Sequence, residues 1–181
     1  MRIILSTCLI FLMALSTEAQ KATDLYFEFQ AYPTGIIPGI KIERQVSAQS
    51  MVLLRLGYNA FDHRDLGVQD TETGGGFGFT LGYRRYFKDD LKGWHWSLKT
   101  DVWWNNVDWS NEGTNGSTVT GETSITVLQP TLEFGYTVLR SNGLVFGPTV
   151  AFGAEWNVRT DGEPTGEGPI LLVGIQLGKR F

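Results

Sequence analysis

From residue 25 onward, apolar and polar residues alternate along most of the chain. Between Gly76 and Phe87 one phase reads Phe77, Phe79, Leu81, Tyr83, and the other Gly78, Thr80, Gly82, Arg84, Tyr86. A period of two is the signature of a strand with one greasy face. It predicts eight strands, over Leu25–Tyr32, Gly39–Val46, Met51–Asn59, Gly76–Phe87, Trp94–Asn105, Leu128–Val138, Leu144–Trp156 and Ile170–Phe181, with no helical period between them. Several span about 10 to 13 residues, enough for a tilted strand to cross a bilayer's hydrocarbon, whereas the mean globular strand has about five or six.

The predicted links are unequal. Short ones fall at Ser47–Ser50, Lys88–Gly93 and Leu139–Gly143, and long ones at 62–75, 106–123 and 157–169, with a smaller one at Pro33–Pro38. Alternating short and long connections are what an up-and-down transmembrane barrel produces, with periplasmic turns on one side and external loops on the other. The expected fold is therefore all-β, an eight-stranded antiparallel up-and-down transmembrane β-barrel.

Amphipathic strands also build soluble sandwiches and lipocalin-like barrels, so the decisive question is which face looks inward. The apolar phase carries only Arg44, Arg85 and Lys179, near predicted periplasmic ends where long cationic chains can reach water. The other phase carries Glu28, Lys41, Glu43, Arg55, Arg84, Lys99, Asp101, Glu133, Glu155 and Arg180, together with Gly39, Gly57, Gly78, Gly82, Gly135, Gly147, Gly153, Gly174 and Gly178. A water-facing surface has no use for that glycine bias. The lumen of an eight-stranded barrel does, because it is only wide enough to be filled by side chains. Aromatic residues near both strand ends, Trp94, Trp96, Tyr83, Phe87, Tyr136, Phe146 and Phe181 at one and Tyr58, Trp104 and Trp156 at the other, read as two interfacial girdles. Ile125, Val127, Pro130 and Pro148 depart from the pattern and call for bulges.

Composition adds an address and some exclusions. Arg2, the apolar run Ile3–Leu15 and small residues at Thr17 and Ala19 predict a signal peptide over 1–19, leaving an exported domain over 20–181. No later stretch is apolar for about 18 residues, so membrane-spanning helices are excluded. The single cysteine, Cys8, lies in the leader, which removes disulfide and thiol chemistry from the mature chain. A net charge of −4 without a basic run gives no footprint for nucleic acid.

The chain ends Leu177, Gly178, Lys179, Arg180, Phe181, and a terminal Phe on an amphipathic strand resembles the assembly signal of bacterial outer-membrane proteins. The strands GFTLGYRRYF from Gly78 and PTLEFGY from Pro130 are similar to those of the small OmpX, OmpW and OmpA-barrel class. The resemblance covers the mature chain and implies the Gram-negative outer membrane, with outer-membrane lipids, lipopolysaccharide and the assembly machinery as partners. It also implies Phe181 as the membrane-insertion signal. Unlike full-length OmpA-type proteins, the chain is expected to stop at the barrel.

Candidate chemistry is sparse. Mixed lumen charges are expected to pair across the interior, with Glu28, Arg55, Arg84, Lys99, Asp101, Glu133 and Glu155 as the network, filling the lumen in preference to lining a pore. His95 and Ser97, two apart, resemble the His and Ser of lipid A deacylases, but start a strand at the periplasmic end, so an interior histidine is expected. His63, between Asp62 and Arg64, reads as a solvated loop residue, since one histidine makes no metal site. The glycines from Gly74 to Gly78 lead into a strand, where a phosphate-binding loop needs a helix, and read as a loop exit followed by lumen-facing glycine. The sequon at Asn115–Ser117 marks an exposed loop. Asp62, Asp65, Asp70, Glu72, Asp108, Glu112, Glu122, Asp161, Glu163 and Glu167 make the external loops acidic and are expected to keep them hydrated. No catalytic, cofactor-binding or metal-binding set is expected. The functional reading is a non-enzymatic outer-membrane protein with a structural or surface-interaction role, meeting an extracellular ligand through its loops. The alternatives are an OmpW-like channel for small or hydrophobic solutes and, behind it, a lipid-modifying enzyme.

Overall fold

A computed structural model describes residues 21–64, 67–113 and 115–181. The leader expected at 1–19 and Asp65 lie outside them. Eight strands follow one another, β1 (Thr23–Tyr32), β2 (Gly35–Ser47), β3 (Ser50–Arg64), β4 (Thr71–Tyr86), β5 (Gly93–Glu112), β6 (Thr118–Leu139), β7 (Leu144–Asp161) and β8 (Gly168–Arg180). Each pairs antiparallel with the next, and β8 closes on β1 through Asp24↔Arg180 to Ala31↔Val173. Closure leaves no sheet edge around the ring, so within it every strand is paired on both sides, while the hairpin ends project beyond their neighbours.

The alternation decides the faces as expected. Phe27, Ile40, Leu56, Phe77, Leu81, Leu98, Phe152 and Ile175 stand on the outer surface, while Glu28, Lys41, Arg55, Arg84, Asp101 and Glu133 are buried inside. Tyr58, Trp104 and Trp156 form the outer aromatic ring toward one end, and Phe87, Trp94, Tyr136 and Phe181 the one toward the other. Among the described residues no helix is long and apolar enough to cross a membrane, which says nothing about strands.

The strands are longer than the sequence predicts. β5 and β6 have 20 and 22 residues, and their ladder runs unbroken from Gly93↔Thr137 to Glu112↔Thr118. The expected long loops are thus mostly hairpin, connected at 65–70, 113–117 and 162–167. Outward apolar residues mark only the greasy belt. Beyond it Asn106, Asp108, Ser110, Thr120 and Glu122 continue the strand with a polar outer face, and the amphipathic signal fades while the pairing does not. Gly74 and Gly75, expected as a loop exit, are likewise strand, paired with Val107 and Asn106. The Pro33–Pro38 loop shrinks to Pro33 and Thr34, because Pro38 is accommodated inside β2 opposite Phe29. Its missing N–H falls where the β2–β3 ladder skips from Ile36↔Ala60 to Gly39↔Gly57. Pro130 and Pro148 fall in similar gaps between β6 and β7. A bulge there, where Thr126↔Arg159 is followed by Val127↔Asn157, makes room for the inward Val127.

Candidate functional site: the filled interior and its mouth

The interior is built in layers. The end that holds the chain termini of the barrel is closed by Met51, Tyr86 and Leu91. Leu91 belongs to the β4–β5 turn, adopts φ 48°, and is buried, so the turn folds a side chain back into the lumen. A left-handed backbone is uncommon for leucine and persists when packing holds it. Here the Arg180 guanidinium donates to the Leu91 carbonyl at 3.0 Å and to Asp24 at 2.6 and 2.7 Å, tying β8, β1 and that turn together.

Above lies the ionic layer. Lys41 meets Glu28 at 3.2 Å and Glu43 at 3.1 Å, and donates to Gln176 Oε1 at 2.6 Å. Arg84 meets Glu43 at 2.9 Å and Glu133 at 3.0 Å and donates to Ser97 at 3.1 Å. Lys99 contacts Glu133 at 2.5 Å and Glu28 at 3.9 Å. Arg55 contacts Asp101 at 2.7 Å and Glu28 at 3.8 Å, donates to Thr80 at 2.9 Å and also bonds Gln30. Glu28, Glu43, Asp101 and Glu133 thus face Lys41, Arg55, Arg84 and Lys99, four charges of each sign and no net charge. In so dry a site only mutual pairing makes the ions tolerable. Six of the seven residues expected in a network are in it, and Lys41 and Glu43 complete it.

Glu155 is not. β7 carries it one level higher, opposite Gly168, where it has no hydrogen bond or ion pair to any described residue. What separates it from the ions is an apolar layer that the sequence reading missed, made by Ile37, Trp103, Val127, Ala151 and Leu172 with Phe61, Val107, Ile125 and Ile170. Its centre is Trp103, fully buried, whose indole N–H donates to Gln129 at 3.0 Å and whose ring lies 5.6 Å from the Arg55 guanidinium carbon. The glycines make it possible. A Cβ at Gly78 would fall on the Trp103 ring, and one at Gly57 would lie 3.3 Å from it. The clue lay in Ile125 and Val127, which break the polar phase because they belong to this layer.

At the mouth, Glu72 is neither loop nor solvated. It is buried in β4, and its carboxylate accepts N–H groups of Val68 (2.9 Å), Gln69 (3.1 Å) and Gly166 (3.0 Å), clamping the β3–β4 and β7–β8 connections to each other. His63 is a half-buried strand residue with Nδ1 3.5 Å from Glu72, and not a solvated loop residue. The hairpins turn both inward over the lumen. Below the clamp lies a cavity of about 20 Å³ lined in part by Tyr32, Asn59, His63, Asn105 and Glu155. A crevice of about 350 Å³ adjoins it.

His95 is buried with both ring nitrogens unpartnered and packs edge-on against Tyr86 at 5.2 Å. Ser97 bonds Arg84 and Glu133 instead, so the two form no dyad. No group of three His, Cys, Asp or Glu gathers to hold a metal among the described residues. Phe181 is 67% exposed beyond β8, exchanges backbone hydrogen bonds with Thr23, and has the Lys179 ammonium 5.8 Å from its ring.

No protein-family profile and no curated protein sequence matches the chain. Among solved structures it is similar to the N-terminal β-barrel domain of Pseudomonas aeruginosa OprF, with 12% identity over 91% of this chain and 100% of that one and a TM-score of 0.44. It is also similar to Neisserial surface protein A (9% identity, 87% and 94% covered, TM-score 0.46) and to Ail, the attachment invasion locus protein of Yersinia pestis (9%, 89% and 97%, 0.46). Identities this low bear on fold alone. The ring of eight antiparallel strands stands on the structure itself.

Proposed function

We propose that the protein resides in the bacterial outer membrane as a plugged, non-enzymatic barrel with a structural or surface-interaction role. In this reading the barrel is an anchor and the long β3–β4, β5–β6 and β7–β8 hairpins are its working face. The observation that carries it is the pairing of an outer belt of apolar side chains with an ionic layer that is neutral within itself, ion-paired and capped by Trp103. A belt of this kind belongs against hydrocarbon, and side chains filling an eight-stranded lumen leave no aqueous channel. The terminal turns would face the periplasm and the hairpins the lipopolysaccharide. Phe181, at the lipid-facing end of the closing strand, would serve as the signal for the assembly machinery. Residues 1–19 would be the leader.

The test combines membrane fractionation, detergent extraction and gel mobility with and without heating, followed by conductance in planar bilayers. The expected result is an outer-membrane protein with heat-modifiable mobility, a mature N-terminus at Gln20 and no steady conductance. A protein that stays soluble without detergent would refute the membrane reading, and solute-selective conductance would replace the plug with a transporter.

A further inference from the structure

The mouth differs from the ionic layer below it in that, among the described residues, no lysine or arginine lines its cavity or crevice, the one basic side chain there being His63, whose Nδ1 lies 3.5 Å from Glu72. Glu72 is satisfied by backbone N–H groups, but Glu155 faces the cavity with no hydrogen bond or ion pair to any described residue. Asn105, 3% exposed, turns an amide oxygen without a partner into the same cavity. Asn59 Oδ1 is also there, accepting the Tyr32 hydroxyl at 2.6 Å. The cavity, about 20 Å³, holds roughly one water-sized group.

The adjoining crevice has a different character. The β1–β8 ladder stops at Ala31↔Val173 while β7–β8 continues to Glu155↔Gly168, so the β1–β2 turn leaves a notch in the wall. Pro33, Pro169, Ile170 and Leu171 make its apolar side, Thr34 and Glu167 lie at it too, and it shares Tyr32, His63, Glu155 and Gly166 with the cavity.

We infer that cavity and crevice together form a binding site for a primary alkylammonium group, with the –NH₃⁺ head between Glu155, Asn105 and Asn59 and the aliphatic chain in the notch. Unpartnered acceptors call for a donor, and an ammonium has three donors and no acceptor. A water would satisfy Asn105 but bring no opposite charge to Glu155. A quaternary ammonium or a guanidinium is too large for a cavity of one water, and no set of metal-ligating side chains is gathered there among the described residues.

The inference rests on the surface-interaction reading only for the side of the membrane that the mouth faces, and binding in micelles is independent of that. The experiment uses detergent-refolded protein whose unheated gel mobility verifies the closed barrel, titrated with n-hexylamine at neutral pH while the Asn105 side-chain amide and Glu155 backbone amide are followed by NMR. A saturable shift is expected with hexylamine and none with hexanol or N,N,N-trimethylhexylammonium. Glu155→Gln should weaken binding by about tenfold or more, the scale of one hydrogen bond to a charged group. Asn105→Leu provides a second variant if Glu155→Gln does not fold. In nanodiscs, the same shift in phosphatidylethanolamine but not phosphatidylcholine would assign the amine to a lipid headgroup, and a shift only on adding hexylamine would assign it to a soluble ligand. Equal response to hexanol or the quaternary amine, or no saturable shift with hexylamine in micelles, overturns the site. Failure of the barrel to show heat-modifiable mobility would instead count against the outer-membrane reading.

Discussion

Replacing Arg84 by Met tests whether the ionic layer is dry. Arg84 has no solvent exposure, and its guanidinium reaches Glu43, Glu133, Ser97 and Gln176 at 2.9 to 3.4 Å. Methionine keeps much of the volume and removes the charge, leaving four carboxylates to three cations. Glu133 then retains Lys99 and Glu43 retains Lys41. If the layer excludes water, removing one member of a buried pair costs about 3–5 kcal/mol. If the lumen is hydrated, the pair behaves as a surface bridge and the cost is about 0–1 kcal/mol. The two cases separate clearly in a urea titration of the protein folded into lipid vesicles, followed by tryptophan fluorescence and by gel mobility. The second arm is Arg84→Met with Glu43→Gln, which restores neutrality. It should recover about 1–3 kcal/mol of the loss, a coupling that two independent sites would not show. A single variant within about 1 kcal/mol of the parent, with no coupling in the double variant, would refute the dry, mutually compensated interior.

Other substitutions probe the remaining layers. Trp103→Ala removes the centre of the apolar cap and should cost about 3–5 kcal/mol in the same titration while raising bilayer conductance above that of the parent. Gly78→Ala places a methyl on the rigid Trp103 ring and should destabilise by about 1–3 kcal/mol, measured as a lower urea midpoint. Leu56→Arg, on the outer belt, should cost about 2–4 kcal/mol in vesicles, and an unchanged midpoint would argue against burial of that face in lipid. Glu72→Ala releases three backbone N–H groups of the two mouth connections. It should speed tryptic cleavage after Arg64 and Arg159 while leaving the heat-modifiable mobility of the barrel intact.

The sequence made the fold legible because two independent biases fell on the same phase. Charges alone could have faced bulk water, and glycines alone could have marked turns. Their coincidence on one face, with a charge on every strand and these glycines on six of the eight, fits only a crowded interior, where Gly57 and Gly78 leave room for Trp103 and Gly39 for Arg55. The partners of each ion were not legible, since pairs such as Arg84 with Glu43 and Glu133 join three strands far apart in sequence, and their heights depend on register. Glu155 shows the limit. It shares the phase of the network, yet a few residues along β7 carry it past Trp103 into a different environment. His63 and Glu72 were misjudged for a related reason: they lie where the outer face turns polar, and a strand without apolar alternation reads like a loop.

Taken together, the layers assign different tasks to different heights. A path for solutes would need polar groups from end to end, and Trp103, Ile37, Val127, Ala151 and Leu172 interrupt it where Glu155 and Asp101 would otherwise meet. An ionic layer that is neutral within itself also presents no net charge to attract a passing ion. Below the cap the acids are ion-paired, whereas above it Glu155 has no hydrogen bond or ion pair to a described residue, Asn105 turns an unpartnered amide oxygen to the same cavity, and the Glu72 clamp fixes the hairpins around them. Selection for stability alone favours satisfied groups throughout. His95 is also unpartnered, but it is sealed below the cap against Tyr86, whereas Glu155 and Asn105 line a cavity that adjoins the crevice; the proposed recognition falls there, with the ions beneath holding the wall that supports it.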